Sequence, residues 1–470
     1  MHIVLMNGTP LFDMLSHLLP FPFIINYQGE DVDDDCTILH AIQHHRHRVL
    51  RIVLQAPSLT LERLLVLMDK SFPRLESLTL LLTTKSGEGR HLMLPRTFLA
   101  PNLHHLSLGG ISLPKGLPVL ASTFSLVTLK LIDIQSPGYF TPATLASQLQ
   151  QIPQLEELSI RFSTPLPCPG AKGESFQPPI MPIVLPALRQ LAFRGVSVYL
   201  EDLVSWISSP LLRRCNIMLF NQLNFTLPHL SHFTRTTETL RHPIANVIFN
   251  HEGITFLISS HEEFNDGTFS LQVSCKLFDW QIDSATQLCS ALLPVLSAVE
   301  GLMLDFDEED LPSNWQDEVD AMMWHGLLWP FSGVKKLHIG YPLALELSNA
   351  LESDNAGLVL GLLPELQELE AWVKLRHLNK AFETFIDARQ LTGCHVHLLV
   401  SPAAKPVISM PVITPPFRSI PDEDEPLVSH PVPVQKNWFQ RAIVKPVWRR
   451  LRSGTCTGVD RSLDVDPSTL

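Results

Sequence analysis

The sequence predicts an α/β solenoid of irregular leucine-rich repeats, with parallel strands on a concave face and helices on a convex face. A short phrase carries this prediction: "PRLESLTL" begins at Pro73 and returns in similar form from Pro101, Pro153, Pro186 and Pro364. The Leu-x-Leu that ends the phrase has the period of two expected of a strand with one buried face. Helical apolar spacing follows between the phrases, and Pro73 is expected to help end the preceding helix and to set the direction of the strand. Strand and helix alternating at a roughly constant period are typical of a solenoid.

The spacing of the repeats supports this prediction. Except between Pro210 and Ser297, successive copies of the phrase are roughly 23 to 35 residues apart, at or somewhat above the range of leucine-rich repeats. The positions at which the copies are anchored are His47, Pro73, Pro101, Phe124, Pro153, Pro186, Pro210, Ser297, Ser332 and Pro364. The irregular spacing predicts loops of varying length between units that share one plan.

Helices are predicted between the strands. The apolar stripes at helical spacing are Leu61, Leu64, Leu65 and Met68; Leu145, Leu149 and Ile152; and Leu200, Leu203, Val204 and Ile207. In the second of these segments Thr141 is predicted to be the N-cap and Pro142 the first helical residue, because proline suits that position.

The array is predicted to occupy residues 1–400. At its start "HIVLMN", "FPFIINYQ" and "RVLRIVLQ" read as strands, with helices at "PLFDMLSHLL" and "CTILHAIQHH". Residues 244–280 are more β-rich and poor in helix. Their alternation and the turn signals "NHEG" and "FNDG" predict antiparallel or meandering strands in the same sheet. A helix around Leu288, Leu292 and Leu293 is predicted to follow.

Residues 401–470 are rich in proline and predict a disordered tail. Within it, "KNWFQRAIVKPVWRRLRSG" interleaves basic and aromatic side chains. Such a segment is either a plain basic stretch or a site for a membrane surface, a nucleic acid or a partner groove. Its candidate residues are Lys436, Trp438, Arg441, Lys445, Trp448, Arg449, Arg450 and Arg452.

Composition restricts the classes of function. The 470 residues are 45% hydrophobic and 17% charged, with a net charge of -12, so a whole-chain basic footprint for nucleic acid is absent. We expect no membrane span and a monomer. The seven cysteines contain no CxxC pair, which favours reduced, buried thiols in an intracellular protein, cytoplasmic or nuclear, over a disulfide framework.

No sequence motif predicts catalysis or a cofactor. His40 and His44 have metal-ligand spacing, but a solvated helix end accounts for them equally, and His395 and His397 supply two ligands at most. The acidic clusters at 31–35 and 305–310 lack the order of a calcium loop and are expected to be exposed loops that enter helices. We therefore expect no enzyme, no metal and no cofactor; the alternative is an enzyme with a site across the concave face.

The concave face is the candidate site. Residues that flank the second leucine of each strand point to that side. These candidate partner-binding residues are Ser77, Thr79, His105, Ser107, Thr128, Lys130, Glu157, Ser159, Gln190, Lys336, His338, Glu368 and Glu370. They are small, polar and mixed in charge, which suits a protein-binding surface and equally a plain solvated sheet.

Over nearly all of residues 1–400 the chain resembles F-box proteins with leucine-rich repeats from mushroom-forming fungi. The similarity lies in long segments, among them "GTPLFDMLSHLLPFPFIINY", "LMLPRTFLAPNLHHLSLGGISLP", "GVSVYLEDLVSWISSPLL" and "LLPELQEL". The resemblance implies the substrate-recognition part of an F-box subunit of a cullin (SCF-type) ubiquitin ligase. The N-terminal F-box, which docks the ligase adaptor, has no counterpart in this sequence, so adaptor binding is expected only if an F-box exists upstream.

The sequence as a whole thus predicts a protein–protein interaction scaffold with an unidentified protein partner. A truncated or degenerate gene product without a specific function is the alternative from another class.

Overall fold

The computed structural model describes residues 3–5, 21–28, 39, 42–83, 91–165, 182–220, 225–240, 242–260, 268–307, 321–351, 361–373 and 379–402. The helix predicted at "PLFDMLSHLL", the turn "FNDG", the cluster at 31–35, His40 and the basic and aromatic tail residues lie outside this part.

A mixed α/β fold with a large, mainly parallel sheet is confirmed. The strands are β1 Ile3–Leu5, β2 Phe23–Gln28, β3 Val49–Ala56, β4 Ser77–Leu82, β5 Leu92–Met93, β6 His105–Gly109, β7 Ile111–Ser112, β8 Thr128–Ile134, β9 Glu157–Phe162, β10 Ile183–Val184, β11 Gln190–Gly195, β12 Ile207–Ser208, β13 Arg214–Leu219, β14 Ile244–Asn250, β15 Gly253–Ser259, β16 Thr268–Ser274, β17 Gly301–Phe306, β18 Lys336–Ile339, β19 Glu368–Val373 and β20 His397–Pro402.

The helices alternate with these strands. They are α1 Ser58–Leu67, α2 Pro118–Ala121, α3 Pro142–Leu149, α4 Ser197–Trp206, α5 Pro228–Thr236, α6 Phe278–Ala291, α7 Leu293–Leu296, α8 Ala321–Leu328, α9 Tyr341–Leu351 and α10 Asn379–Leu391, with short 3-10 helices at Arg46–Arg48, Ser136–Gly138 and Glu238–Leu240. The predicted start of α3 is confirmed, because the Thr144 backbone N–H donates to Thr141 Oγ1 over 3.1 Å and Pro142 follows the cap.

Sixteen strands form one sheet, in the order β1-β2-β3-β4-β6-β8-β9-β11-β13-β16-β15-β14-β17-β18-β19-β20. Two small parallel sheets, β5 with β7 and β10 with β12, lie beside it. Neighbours in the large sheet are parallel except β14–β15 and β15–β16, which are antiparallel. The turn "NHEG" joins β14 to β15, and Asn250 Oδ1 accepts the backbone N–H groups of Glu252 and Gly253 over 2.9 and 2.8 Å.

The proline of the repeated phrase belongs to a turn. In "PRLESLTL" the Leu75 N–H donates to the Phe72 carbonyl over 3.2 Å, which places Pro73 at the second position of a four-residue turn. Proline is favoured there because its fixed φ is that of the turn. The same bond recurs from Leu103 to Ala100 and from Leu155 to Ile152. The role expected for Pro73, ending the preceding helix, is wrong, because α1 ends at Leu67.

Each turn places the following strand in register with the preceding strand of the sheet. After the turn, the Glu76 N–H donates to the Leu50 carbonyl over 2.8 Å, and the His104 N–H donates to the Glu76 carbonyl over 2.8 Å. The ladder of backbone bonds therefore begins one residue before each strand. In consequence Leu78 and Leu80 of β4 lie beside Leu106 and Leu108 of β6.

The core lies between the sheet and the helices. Strand residues such as Leu80 and Leu108 share one cluster of fully buried side chains with helix residues such as Leu64, Leu145 and Leu200. Ser77, Thr79, His105 and Ser107 lie on the other face of these strands and do not belong to that cluster. Alternation along each strand therefore separates a helix-covered face from a second face.

We predict that the two faces differ sharply in their contribution to stability. Leu80→Ala removes a fully buried side chain and is expected to destabilise the protein by about 3 kcal/mol. Thr79→Ala, the matched change on the opposite face of β4, is expected to cost less than about 0.5 kcal/mol. Urea denaturation of both variants measures the difference. Equal losses of stability would contradict the assignment of the faces.

A carboxylate on one helix caps the next helix. Helix α5 begins at Pro228, and its first two free N–H groups, those of His229 and Leu230, donate to Glu201 Oε2 and Oε1 over 2.8 and 2.9 Å. Glu201 belongs to α4 and is buried. Burial raises the pKa of Glu201, while its two backbone hydrogen bonds oppose that rise. The carboxylate stabilises the helix N-terminus through these bonds and through the helix dipole.

Glu201→Ala is expected to destabilise the protein by about 3 kcal/mol, because it removes the cap and leaves the buried N–H of Leu230 and the N–H of the exposed His229 without this acceptor. Asp202→Ala, at the exposed neighbouring position, is the control and should cost less than about 0.5 kcal/mol. Thermal melts and urea denaturation report both. A loss at Glu201 no larger than that at Asp202 would refute the capping role.

Candidate functional site

The face of the sheet opposite the helices is the candidate site, and we call it the open face. On β4, β6, β8, β9, β11 and β13 it includes two rows of side chains in register. The first row is Ser77, His105, Thr128, Glu157, Gln190 and Arg214, and the second is Thr79, Ser107, Lys130, Ser159, Ala192 and Asn216. Residues in one row are about 4.8 Å apart because that is the distance between hydrogen-bonded strands.

The sheet order divides the predicted site residues into two groups. Nine of them, from Ser77 to Gln190, lie on the adjacent strands β4, β6, β8, β9 and β11. The other four, Lys336, His338, Glu368 and Glu370, lie on β18 and β19. The five strands β13, β16, β15, β14 and β17 lie between the groups. The sequence did not show this gap, because it gives strand order along the chain and not position in the sheet.

Burial on both sides interrupts the open face in the middle of the sheet. On β14 and β15 the residues Asn246, Ile248, Leu257 and Ser259 are buried although they lie in register with open-face positions. Ile248 and Leu257 do not belong to the main core cluster. The two groups of candidate residues therefore form two separate surfaces.

A groove of about 620 Å³ lies over the first group. Its lining includes Arg51, Ser77, Thr79, His105, Ser107 and Lys130. Lys130 Nζ lies 2.8 Å from Glu157 Oε1, and the two side chains are 36% and 29% exposed. A half-exposed pair of this kind adds little stability, so both groups stay available to exchange partners.

Ser159 departs from the prediction. Its side chain lies on the open face but is only 4% exposed. The longer side chains of Lys130, Glu157 and Arg161 stand at the neighbouring positions of the sheet and shield the small hydroxymethyl group. Ser159 therefore forms part of the floor and is not placed to meet a partner directly.

His105 is held in its neutral form. Burial lowers its pKa, and the nearby positive charges of His104 and Arg51 act in the same direction, while Glu157 opposes them. Its Nδ1 lies 3.1 Å from Thr128 Oγ1 on the neighbouring strand. The groove thus offers a hydrogen-bonding imidazole without a charge at neutral pH.

The second group is internally paired. Lys336 Nζ lies 2.8 Å from Glu368 Oε2, and His338 Nδ1 lies 3.1 Å from Glu370 Oε2. Both pairs join residues in register on β18 and β19. Because each basic side chain faces a carboxylate across the strands, these side chains are paired with one another. This surface is less able to recognise a charged partner than the groove.

Three arginines of the open face were missed from the sequence. Arg161 on β9 and Arg194 on β11 are register partners, and Arg214 begins β13. The prediction took only the residues beside the second leucine of each phrase. The same alternation, extended two residues further along β9 and β11, would have found Arg161 and Arg194.

No metal or nucleophilic centre accompanies the groove in the described ranges. They hold no group of three or more His, Cys, Asp or Glu side chains able to bind a metal ion. His395 and His397 are both exposed, but only His397 lies in a strand, β20, which extends into the predicted tail as far as Pro402. Asp305, expected in a loop, lies in β17 because the Leu-x-Leu alternation continues to Phe306.

The thiols divide into buried and exposed. Cys215, Cys275 and Cys289 are free and buried, as predicted, and burial raises the pKa of Cys215 to about 12. These thiols stay protonated at neutral pH and are poor nucleophiles. The expectation of burial is wrong for Cys394, which is exposed because it follows the end of α10.

Comparison with known proteins adds no relative. No family model matches the chain, and no curated protein is significantly similar to it. Among the described residues no helix is long and apolar enough to cross a membrane.

We predict a pH effect from His105. Its folded-state pKa is lowered, so the unfolded chain binds the proton more tightly, and stability falls as pH drops through about 6.5 and below. His105→Gln should lose less stability between pH 7 and pH 5 than the wild type, by less than about 1 kcal/mol because the exposed ring is screened. Urea midpoints at the two pH values measure this. A larger loss of stability between pH 7 and pH 5 in the variant than in the wild type would contradict the lowered pKa of His105.

Proposed function

We propose that this chain is a leucine-rich-repeat protein of the solenoid type that acts as a scaffold for protein–protein interaction, with the groove of the open face as its working surface. One observation carries the proposal. Short polar and charged side chains stand in register on consecutive parallel strands and line a groove of about 620 Å³. Such an array offers hydrogen-bonding groups at a fixed spacing on a rigid support, which suits an extended segment of a partner.

The resemblance to F-box proteins gives the proposal its biological context. It implies that the groove selects substrates for a cullin ubiquitin ligase inside the cell. The chain's weak cross-strand pair, Lys130 with Glu157, and the neutral His105 fit a surface that exchanges internal contacts for contacts with a partner. In this proposal the surface on β18 and β19 supports the sheet and does not recognise the partner.

The test blocks the groove and leaves the rest of the chain intact. Thr79→Arg with Ser107→Arg places two long side chains in the groove. Val66→Arg with Met322→Arg is the matched control, because both positions are exposed on helices, at 68% and 57%. The tagged full chain and both variants are used to capture proteins from cell extract, with quantitative mass spectrometry as the readout and thermal melts to verify folding.

We expect a discrete set of captured proteins to fall by at least about tenfold with the groove variant and to persist with the control. Capture of a cullin-ligase adaptor by a form extended through the reading frame upstream of residue 1, and not by the chain alone, would support the ligase context. Capture that does not change in the groove variant would overturn the scaffold proposal. Groove-dependent capture with no adaptor bound by the extended form would overturn the ligase context alone.

A further inference from the structure

Positive charge is concentrated on one part of the open face. On the open face, the adjacent strands β9, β11 and β13 carry three arginines, Arg161, Arg194 and Arg214, against one glutamate, Glu157. The whole chain has a net charge of -12. A local excess of arginine in an acidic protein marks a surface that attracts a negative group.

Two of these arginines form a pair. Arg161 and Arg194 are register partners on neighbouring parallel strands, so their backbones are about 4.8 Å apart and both side chains rise from the open face. Within the described residues neither guanidinium group has an ion-pair partner or a hydrogen-bond acceptor. Burial lowers the pKa of Arg161; the charges of Asp133 and Glu157 oppose this, and that of Arg194 adds to it. Two like charges side by side favour an anion between them.

The pair is held on a rigid support. Phe162 follows Arg161 and Phe193 precedes Arg194, and both rings point into the core and are buried. Their rings lie 4.9 and 5.8 Å, centroid to centroid, from the buried ring of Tyr199 on α4. This aromatic packing fixes the backbone from which both guanidinium groups project. A preorganised pair binds a ligand with less loss of conformational freedom.

Arg194 has an unmet donor. Its guanidinium carbon lies 5.5 Å from the ring centroid of Phe220, which fixes the plane of the group. Its Nε atom is buried and has no hydrogen-bond partner within the described residues. In the row next to the pair stand the small side chains of Ser159 and Ala192, and that of Ser159 is covered. A buried donor that has no acceptor among the described residues calls for an external one.

We propose that Arg161 and Arg194 are the anchor of a site for an acidic peptide segment, one of whose carboxylates bridges the two guanidinium groups. The proposal rests on the proposed function of the open face and names the chemistry of its partner. A carboxylate matches the fork of a guanidinium group in geometry and charge, relieves the repulsion within the pair and supplies an acceptor for Nε. Arg214, at an exposed position of β13, adds positive charge to the same face.

A peptide fits this surface better than a nucleic acid. Glu157 and Asp133 lie close to the arginine pair and repel a continuous line of phosphates. Nucleic acids are held through many successive phosphate contacts along a basic surface. A single carboxylate between two arginines, with polar groups such as Asn216 and Lys130 beside it, matches the local character of this site.

The experiment measures binding of a fluorescein-labelled peptide rich in Asp and Glu to the full chain by fluorescence anisotropy. Arg161→Gln and Arg194→Gln should each weaken binding by about tenfold or more. Arg194→Lys keeps the charge but loses the fork, and it should weaken binding nearly as much. Arg63→Gln, at an exposed position of α1, is the matched control and should bind as the wild type does. Melting temperatures verify that the variants fold.

Three results would overturn the proposal: no binding of the peptide, equal binding by the wild type and both glutamine variants, or a lysine variant as strong as the wild type. Tighter binding of a single-stranded oligonucleotide than of the peptide would overturn the choice of ligand. Failure here can be told apart from failure of the scaffold function. Suppose that Thr79→Arg with Ser107→Arg abolishes partner capture, while Arg161→Gln and Arg194→Gln leave peptide affinity unchanged. In that case only the proposal of the arginine site is overturned.

Discussion

The phase of each strand depends on the turn that precedes it. A backbone bond from the fourth residue of the turn to the first, as from Leu75 to Phe72, sets the direction of the chain, and proline at the second position restricts it further. The next N–H then donates to a carbonyl at the start of the preceding strand or just before it, as from Glu76 to Leu50 and from His104 to Glu76. A slip of one residue would move every leucine of a strand to the wrong face. The division of the sheet into a core face and an open face therefore rests on these two bonds, repeated from unit to unit.

Much of the fold was accessible from sequence because its determinants are local. Alternation in "LESLTL" predicts the strand, helical spacing predicts α1, α3 and α4, and the Thr141 cap follows from residue type. Whether the sheet closes into a regular solenoid depends on packing between units, which no local pattern encodes. The role of Pro73 was misjudged for a related reason: the same residue suits a helix end and a turn, and only the bond from Leu75 to Phe72 decides between them.

The site was predictable only in part. Alternation placed Thr79 and Lys130 correctly on the second face, since facing depends on period alone. Burial on that face depends on neighbours across strands, which explains why Ser159 is covered and why β14 and β15 are buried on both sides. The arginine pair was missed because Arg161 and Arg194 become neighbours only through the pairing of β9 with β11, two segments separated by a long connection.

The distribution of charge differs between two parts of the open face. On β18 and β19 Lys336 pairs with Glu368, and His338 pairs with Glu370. On β9 and β11 like charges stand together on a backbone fixed by buried aromatic rings. Side chains that are already paired have little tendency to bind a charged partner. Two adjacent guanidinium groups favour the binding of an anionic ligand. Both follow from the same strand register, so the proposed recognition is a direct consequence of the fold and not an addition to it.

The alternation of the two faces can be measured on β13 by comparing a native thiol with an introduced thiol at the next position. Cys215 is a native buried thiol, and Asn216 beside it lies on the open face. In an Asn216→Cys variant, peptide-resolved alkylation of the folded protein compares the two thiols directly. We predict that the thiol introduced at position 216 reacts at least about tenfold faster than Cys215, because burial hinders the native thiol and keeps it protonated. Equal rates, or faster reaction at Cys215, would contradict the division of the sheet into a core face and an open face.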